Sequence, residues 1–283
     1  MTRRRLLYGS LLVLLLAACT TEPPRFDVVV MNGMTPVKNQ GSSQLCWAYA
    51  MLAAIETEHI GRGDSVDLSP AYVEWMMRRH HPGHERGMGH TLINAIQQYG
   101  ICTYSAYRSA DDSTLLPPLR VFMGGLVYTP QEFARSVCAP GEYIALTSVA
   151  HAPYYKEVEL PLPDNWEHNR FLHIPPDSLM HHLTTAVARH HGICWEGDTN
   201  EPLFKPDDGT ADYTRLSPGQ PTDNHCMAIV GMARRHTDGR LYFIMKNSWG
   251  ERGPYGGLMY VDSAYVRHKT IAIYMTKQAY QND

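Results

Sequence analysis

Cys46 lies where chemistry would be expected of a thiol. A thiol attacks a carbonyl only as thiolate, so its ordinary acidity must be increased. A helix N-terminus and a neighbouring imidazolium both do this. Residues 46–60 read as a helix that begins at Cys46: Ala48, Ala50, Met51, Leu52, Ala53, Ala54 and Ile55 are helix formers or apolar. The first device therefore follows from position alone, and the first-turn amides would also point at an oxyanion formed beside the sulfur. Gln40, six residues upstream, could donate a second hydrogen bond from its side-chain amide. Loss of one such donor typically costs about 10²–10³ in rate. A base must complete the set, and fifteen histidines are available for it.

The elements that must position these groups are of two kinds. The helix from Cys46 is apolar nearly all round for its first ten residues, which predicts burial. Ser42 and Ser43 stand where an N-cap belongs, and Gly61 and Gly63 where the helix should stop. Residues 69–79, 91–99, 130–137 and 176–191 read as further helices. Residues 27–31, 227–232, 241–246, 258–261 and 270–275 read as short strands. The stretch 198–222 is rich in Pro, Asp, Gly and Thr and predicts a long surface loop. Helices early and strands late imply an α+β protein with two unlike halves.

At 283 residues, 44% hydrophobic and 19% charged, the chain has the balance of a globular protein. Its net charge of −3, with no long basic run beyond the N-terminus, argues against a nucleic-acid partner. Residues 1–18 read as a signal peptide: Arg3, Arg4 and Arg5 precede an apolar run too short to span a bilayer. The run ends Leu16-Ala17-Ala18-Cys19, which resembles a bacterial lipobox. That resemblance implies cleavage before Cys19, a diacylglycerol on its thiol, and a place at the bacterial cell envelope. Residues 19–26 would form a tether reaching at most about 28 Å, and residues 27–283 the folded body.

Pro36-Val37-Lys38-Asn39-Gln40-Gly41-Ser42-Ser43-Gln44-Leu45-Cys46-Trp47-Ala48 resembles the active-site segment of papain-like cysteine peptidases. Asn224-His225-Cys226-Met227 resembles that family's histidine segment, and Lys246-Asn247-Ser248-Trp249-Gly250 its asparagine segment, in the family's order. The resemblance implies Cys46 as nucleophile, His225 as base and Asn247 as the group that orients the imidazole. It also implies Gln40 as oxyanion donor and Trp249 as a cover. Gly87 and Gly89 resemble the glycine segment that binds extended substrate. The expected fold is papain-like: a helical half over roughly 40–140 and an antiparallel, barrel-like half over roughly 141–283, with the cleft between them.

The double serine 42–43, residues 128–133 and residues 192–198 resemble the bleomycin hydrolase and aminopeptidase C branch in particular. With only residues 276–283 after Met275, that branch's C-terminal arm and hexamer are not expected. Nor is a papain-type inhibitory propeptide, because about 20 residues separate Cys19 from Gln40. No cofactor or metal is implied, and His80, His81, His84 and His90 read as loop residues. Cys102, Cys138, Cys194 and Cys226 allow three full disulfide pairings, with no sequence basis for choosing. Cys226 is expected to be a buried strand residue. Two other outcomes stay open: a cell-wall amide acyltransferase, and an idle lipoprotein that binds extended peptide.

Overall fold

The computed structural model describes residues 25–108, 116–149, 151–214 and 220–281. The leader, Cys19 and all but the last two residues of the tether lie outside the described residues. Among those described, no helix is long and apolar enough to cross a membrane.

The chain opens with strand β1 (Phe26–Met31) and three helices: α1 (Cys46–Gly61), α2 (Pro70–His80) and α3 (Gly89–Tyr99). The hairpin β2 (Val121–Met123) and β3 (Leu126–Tyr128) leads into α4 (Pro130–Val137). Strands β4 (Tyr143–Thr147), β5 (Lys156–Glu159) and β6 (Arg170–His173) precede α5 (Pro176–Ala188) and β7 (Ile193–Gly197). Two-residue strands β8 (Phe204–Lys205) and β9 (Thr210–Ala211) come before the long β10 (His225–Arg235). The chain ends with β11 (Leu241–Lys246), β12 (Leu258–Asp262), α6 (Ser263–Lys269), β13 (Thr270–Thr276) and α7 (Lys277–Gln281). The fold is papain-like and α+β, as expected.

Capping chemistry explains several boundaries. Ser69 accepts from the Tyr72 amide at 3.0 Å and is followed by Pro70, so α2 starts there. Thr129 and Glu132 form a reciprocal capping box at α4. Helix α5 stops three residues short of the expected His191. His190 adopts a left-handed φ of 65°, and the chain turns into β7. A Cβ on the next residue but one, Gly192, would lie 2.0 Å from the Ala54 carbonyl oxygen, so only glycine lets β7 start against α1. The expected loop 198–222 instead contains β8, β9 and a short 3-10 turn. It is drawn onto the sheet because Asp198 and Glu201 both pair with the buried Lys269.

One eleven-stranded sheet runs β5-β6-β4-β13-β7-β10-β11-β12-β9-β8, with β1 paired to β10. It is antiparallel except at β4–β6 and β9–β12. Its centre, β7 beside β10, is covered on both faces. Alternation along each strand sends Cys194 and Cys226 into the core around α1 to α4, and Ile193, Trp195, Met227 and Ile229 into a second core under α5. Burial on two sides makes β10 read as a nearly continuous apolar run, while β7 is broken by Glu196.

The last turns of α1 carry charge into the interior. Glu56 is fully buried and accepts from Lys38 Nζ at 2.9 Å, from the Leu68 amide at 2.7 Å and from the Thr35 hydroxyl. Lys246 Nζ lies 3.7 Å from the same carboxylate and 2.7 Å from Thr35 Oγ1. Burial lowers the Lys246 ammonium to about 8, against the attraction of Glu56. Removing one member of such a cluster strands the others. Glu56→Gln should therefore lower unfolding stability by about 3–5 kcal/mol, read as a fall in the urea midpoint at unchanged slope.

Candidate functional site

The site grows from the start of α1. Cys46 is the first helical residue and Leu45 the N-cap, with no side chain bonded to the cap. This corrects the expectation that Ser42 or Ser43 caps the helix. The Ser43 hydroxyl and amide both donate to the Gln40 carbonyl instead, at 2.8 and 3.1 Å, closing the turn before the helix. The first-turn amides have no intrahelical acceptors, and leaving them uncapped keeps their positive end directed at the sulfur.

Gln40 is held at both ends of its amide. Oε1 accepts from Ser248 Oγ at 2.5 Å, and Nε2 donates to the Ser43 carbonyl at 2.6 Å. The backbone is tied as well, with Gln40 N donating to Ser248 O at 2.8 Å. The amide nitrogen carries two hydrogens, so one remains for the cavity that Gln40 shares with Cys46.

His225 opens β10. Its Nε2 lies 2.9 Å from Asn247 Oδ1, which leaves Nδ1 for the sulfur of Cys46, with which the ring is hydrogen bonded. Asn247 Oδ1 also accepts from the Ser248 amide at 2.8 Å, which fixes the carboxamide. The indole of Trp249 stacks on the imidazole at 4.5 Å between centroids and 26° between planes. His225 and Asn247 are both buried beneath it.

Sequence reasoning missed one partner of the sulfur. Cys226 sits in β10 as a buried strand residue, as expected, but its thiol is also hydrogen bonded to Cys46. That bond is the chief reason the Cys46 thiol is held well below its ordinary range. The bond to His225 and the imidazolium charge add to it, and burial opposes it. Burial pushes Cys226 the other way, so it stays a thiol and donates. Among the described residues, Cys46, Cys102, Cys138, Cys194 and Cys226 are all free thiols.

Cys46, His225, Cys226, Gln40, Gly87 and Trp249 border one cavity of about 210 Å³. Gly89 is elsewhere: it begins α3, and a Cβ there would strike the Tyr274 ring at 2.7 Å, so it serves packing. The same cavity holds Glu196, Asp223 and the Arg86–Asp164 pair. The β7–β10 register, with Cys226 opposite Glu196, is the signal that would have found Glu196. A larger cavity of about 640 Å³ lies between the 39–45 loop and α2, and neither Cys46 nor His225 lines it.

The clustered histidines engage aromatic rings. His80 stacks on Tyr99 at 4.0 Å, His84 leans on Trp166, and His90 sits between Phe171 and Tyr274, where burial lowers it to about 4. No group of three or more His, Cys, Asp or Glu among the described residues is arranged to hold a metal.

Over 244 residues the chain is 25% identical to cathepsin R of Mus musculus, covering 85% of this chain and 60% of that protein. Over 233 residues it is 24% identical to chymopapain of Carica papaya, covering 82% and 52%. The chain thus spans little more than half the length of these relatives. Among solved structures, PepW of Lactobacillus rhamnosis superposes with a TM-score of 0.68 at 15% identity, covering 91% of this chain and 83% of that one. Bromelain of Ananas comosus superposes with a TM-score of 0.51 at 18% identity, covering 86% and 94%. Residues 22–279 match the papain family cysteine protease profile, and the chain belongs to that family.

Proposed function

We propose that the chain is a cysteine-type peptidase that hydrolyses peptide bonds through an acyl-enzyme, held at the bacterial cell envelope by a lipid on Cys19. The observation that carries the chemistry is the shared placement of the depressed Cys46 thiol, the uncapped start of α1 and the His225–Asn247 pair under Trp249. The Cys46 thiolate adds to the substrate carbonyl. The oxyanion lies between the Cys46 amide and the free N–H of Gln40. His225 gives its proton to the leaving amine, and the thioester forms. His225 then takes a proton from water, which attacks the thioester and releases the acid. Asn247 fixes the ring through both half-reactions, and Trp249 keeps water from their bond. The serine pair 42–43 and residues 192–198 favour the bleomycin hydrolase and aminopeptidase C branch.

An epoxysuccinyl thiol inhibitor is expected to modify Cys46 alone among the described cysteines, since burial makes Cys102, Cys138, Cys194 and Cys226 weaker acids that stay protonated. Peptide mass mapping checks this. Cys46→Ala should abolish turnover of a fluorogenic peptide library. Labelling that spares Cys46 in folded protein would count decisively against the mechanism.

Removing the Cys226 donor should move Cys46 acidity in one direction. With Cys226→Ala the Cys46 thiol rises toward its ordinary range, so the acid limb of the alkylation rate shifts to higher pH. Cys226→Ser keeps a donor and should lie nearer wild type. Identical limbs in all three proteins would remove Cys226 from the account.

The anchor is tested separately by metabolic labelling with a radioactive fatty acid. The wild-type chain should incorporate label and sediment with membranes, and Cys19→Ser should do neither.

A further inference from the structure

The cleft beside Cys46 holds more acidic groups than its own chemistry uses. Two of the groups cancel. Arg86 Nε lies 2.9 Å from both oxygens of Asp164, and its Nη2 lies 2.5 Å from Oδ2. The remaining Arg86 contact here, 3.1 Å, is to the backbone carbonyl of Asp223 and not to its carboxylate. The guanidinium is thus spent on one acid and one peptide oxygen.

Glu196 and Asp223 remain. Glu196 is fully buried on β7, opposite Cys226, on the face that looks toward α1 and the cavity. Its Oε2 accepts from the Tyr274 hydroxyl at 2.8 Å. Its Oε1 meets no donor among the described residues, and neither does the buried Oδ2 of Asp223. Both carboxyl groups border the cavity that Cys46 and His225 line. Burial, reinforced by the Asp223 charge, holds Glu196 well above the usual carboxylate range. Burial, then the Asp164 charge, pushes Asp223 up to about 7. A lone pair of carboxyls in a dry wall is costly unless a cation or a proton supplies the missing donor. The cavity opens to solvent beside the nucleophile, so a substrate can bring that cation.

We infer that Glu196 and Asp223 form a subsite for a cationic nitrogen of the peptide substrate, an ammonium or guanidinium held beside the bond that Cys46 attacks. This rests on the peptidase reading above and adds its substrate class. The nitrogen has two sources, the free N-terminus of the chain or a Lys or Arg side chain near the scissile bond. The first makes the enzyme an aminopeptidase, and the second an endopeptidase selective for basic residues. On binding, the ammonium donates to Glu196 Oε1 and Asp223 Oδ2, and the proton that burial holds on a carboxyl there leaves to solvent.

Peptidyl electrophiles that alkylate Cys46 test this directly. A set is made with Lys or norleucine at the first and second positions before the warhead, each with a free and an acetylated N-terminus. The readout is the second-order labelling rate of Cys46 in the full chain. Wild type should favour the cationic member of a pair by about tenfold or more, the usual worth of a hydrogen bond to a charged group. Preference for free over acetylated termini assigns the subsite to the α-ammonium. Preference for Lys over norleucine in acetylated probes assigns it to a side chain. Asp223→Asn and Glu196→Gln should each collapse the cationic-to-neutral ratio. Asp223 is half-buried at the mouth of β10, so its variant remains informative even where the Glu196 variant fails to fold. Equal rates for cationic and neutral probes, or a preference that survives Asp223→Asn, overturn the subsite while Cys46 labelling leaves the peptidase reading standing. Absence of Cys46 labelling by every probe overturns both.

Discussion

A single buried carboxylate ties together three of the stretches of chain that make the site. Glu56 lies on the same helix as Cys46. It binds Lys38, two residues before Gln40, and approaches Lys246, the neighbour of Asn247. It also takes the amide of Leu68, which leads into α2. The Lys38 and Lys246 attachments each fix a segment whose working residue, Gln40 or Asn247, is within two positions of the contact. The Coulomb gain of such a cluster is largely offset by desolvation. Its value lies in geometry: apolar packing tolerates small slips, whereas an ion pair with directed hydrogen bonds does not. The distance from sulfur to imidazole is set by this anchorage together with the packing of α1 on β10 and β7.

Around that frame the site divides its electrical tasks among backbone, thiol and imidazole. The helix start supplies partial positive charge without a titrating group. The Cys226 thiol supplies a donor that burial keeps protonated. The imidazole supplies the proton that must move. Asn247 and Trp249 move nothing; they hold a tautomer and exclude water. Gln40 belongs mechanically to the asparagine segment as much as to its own loop, because Ser248 bonds both its amide oxygen and its backbone.

The sequence was most readable where one physical signal dominated. Helix α1 and strand β11 follow from composition and bounding turn residues, and α4 follows from Pro130 and its apolar face. The order Cys46, His225, Asn247 was legible only through resemblance, since no periodicity links residues that meet by long-range packing. Strand β7 was hidden because Glu196 interrupts an otherwise apolar run, and a buried acid is rare enough that its presence argues against a core strand. Helix α5 was read too long because nothing in His190-His191 announces a left-handed turn. Gly89 and Gly87 are indistinguishable on paper. Tyr274, at the far end of the chain, decides that the former is packing and leaves the latter in the cavity wall. The partnership of Cys226 with Cys46 depends on strand alternation at a sheet centre, which becomes visible only once β7 and β10 are paired.

The pairing of β1 with β10 has a consequence in time. Phe26 aligns with Arg235, so the earliest described strand finds its place only when one of the latest has formed. Folds dominated by such distant pairings assemble slowly, because the chain must close large loops before contacts reward it. Until then Cys46 has neither the Cys226 thiol nor the His225 ring beside it, and its acidity is that of any cysteine in a disordered peptide. A nascent chain leaving the ribosome therefore carries Cys46 as an ordinary thiol, and its heightened acidity arises only with completion of the fold.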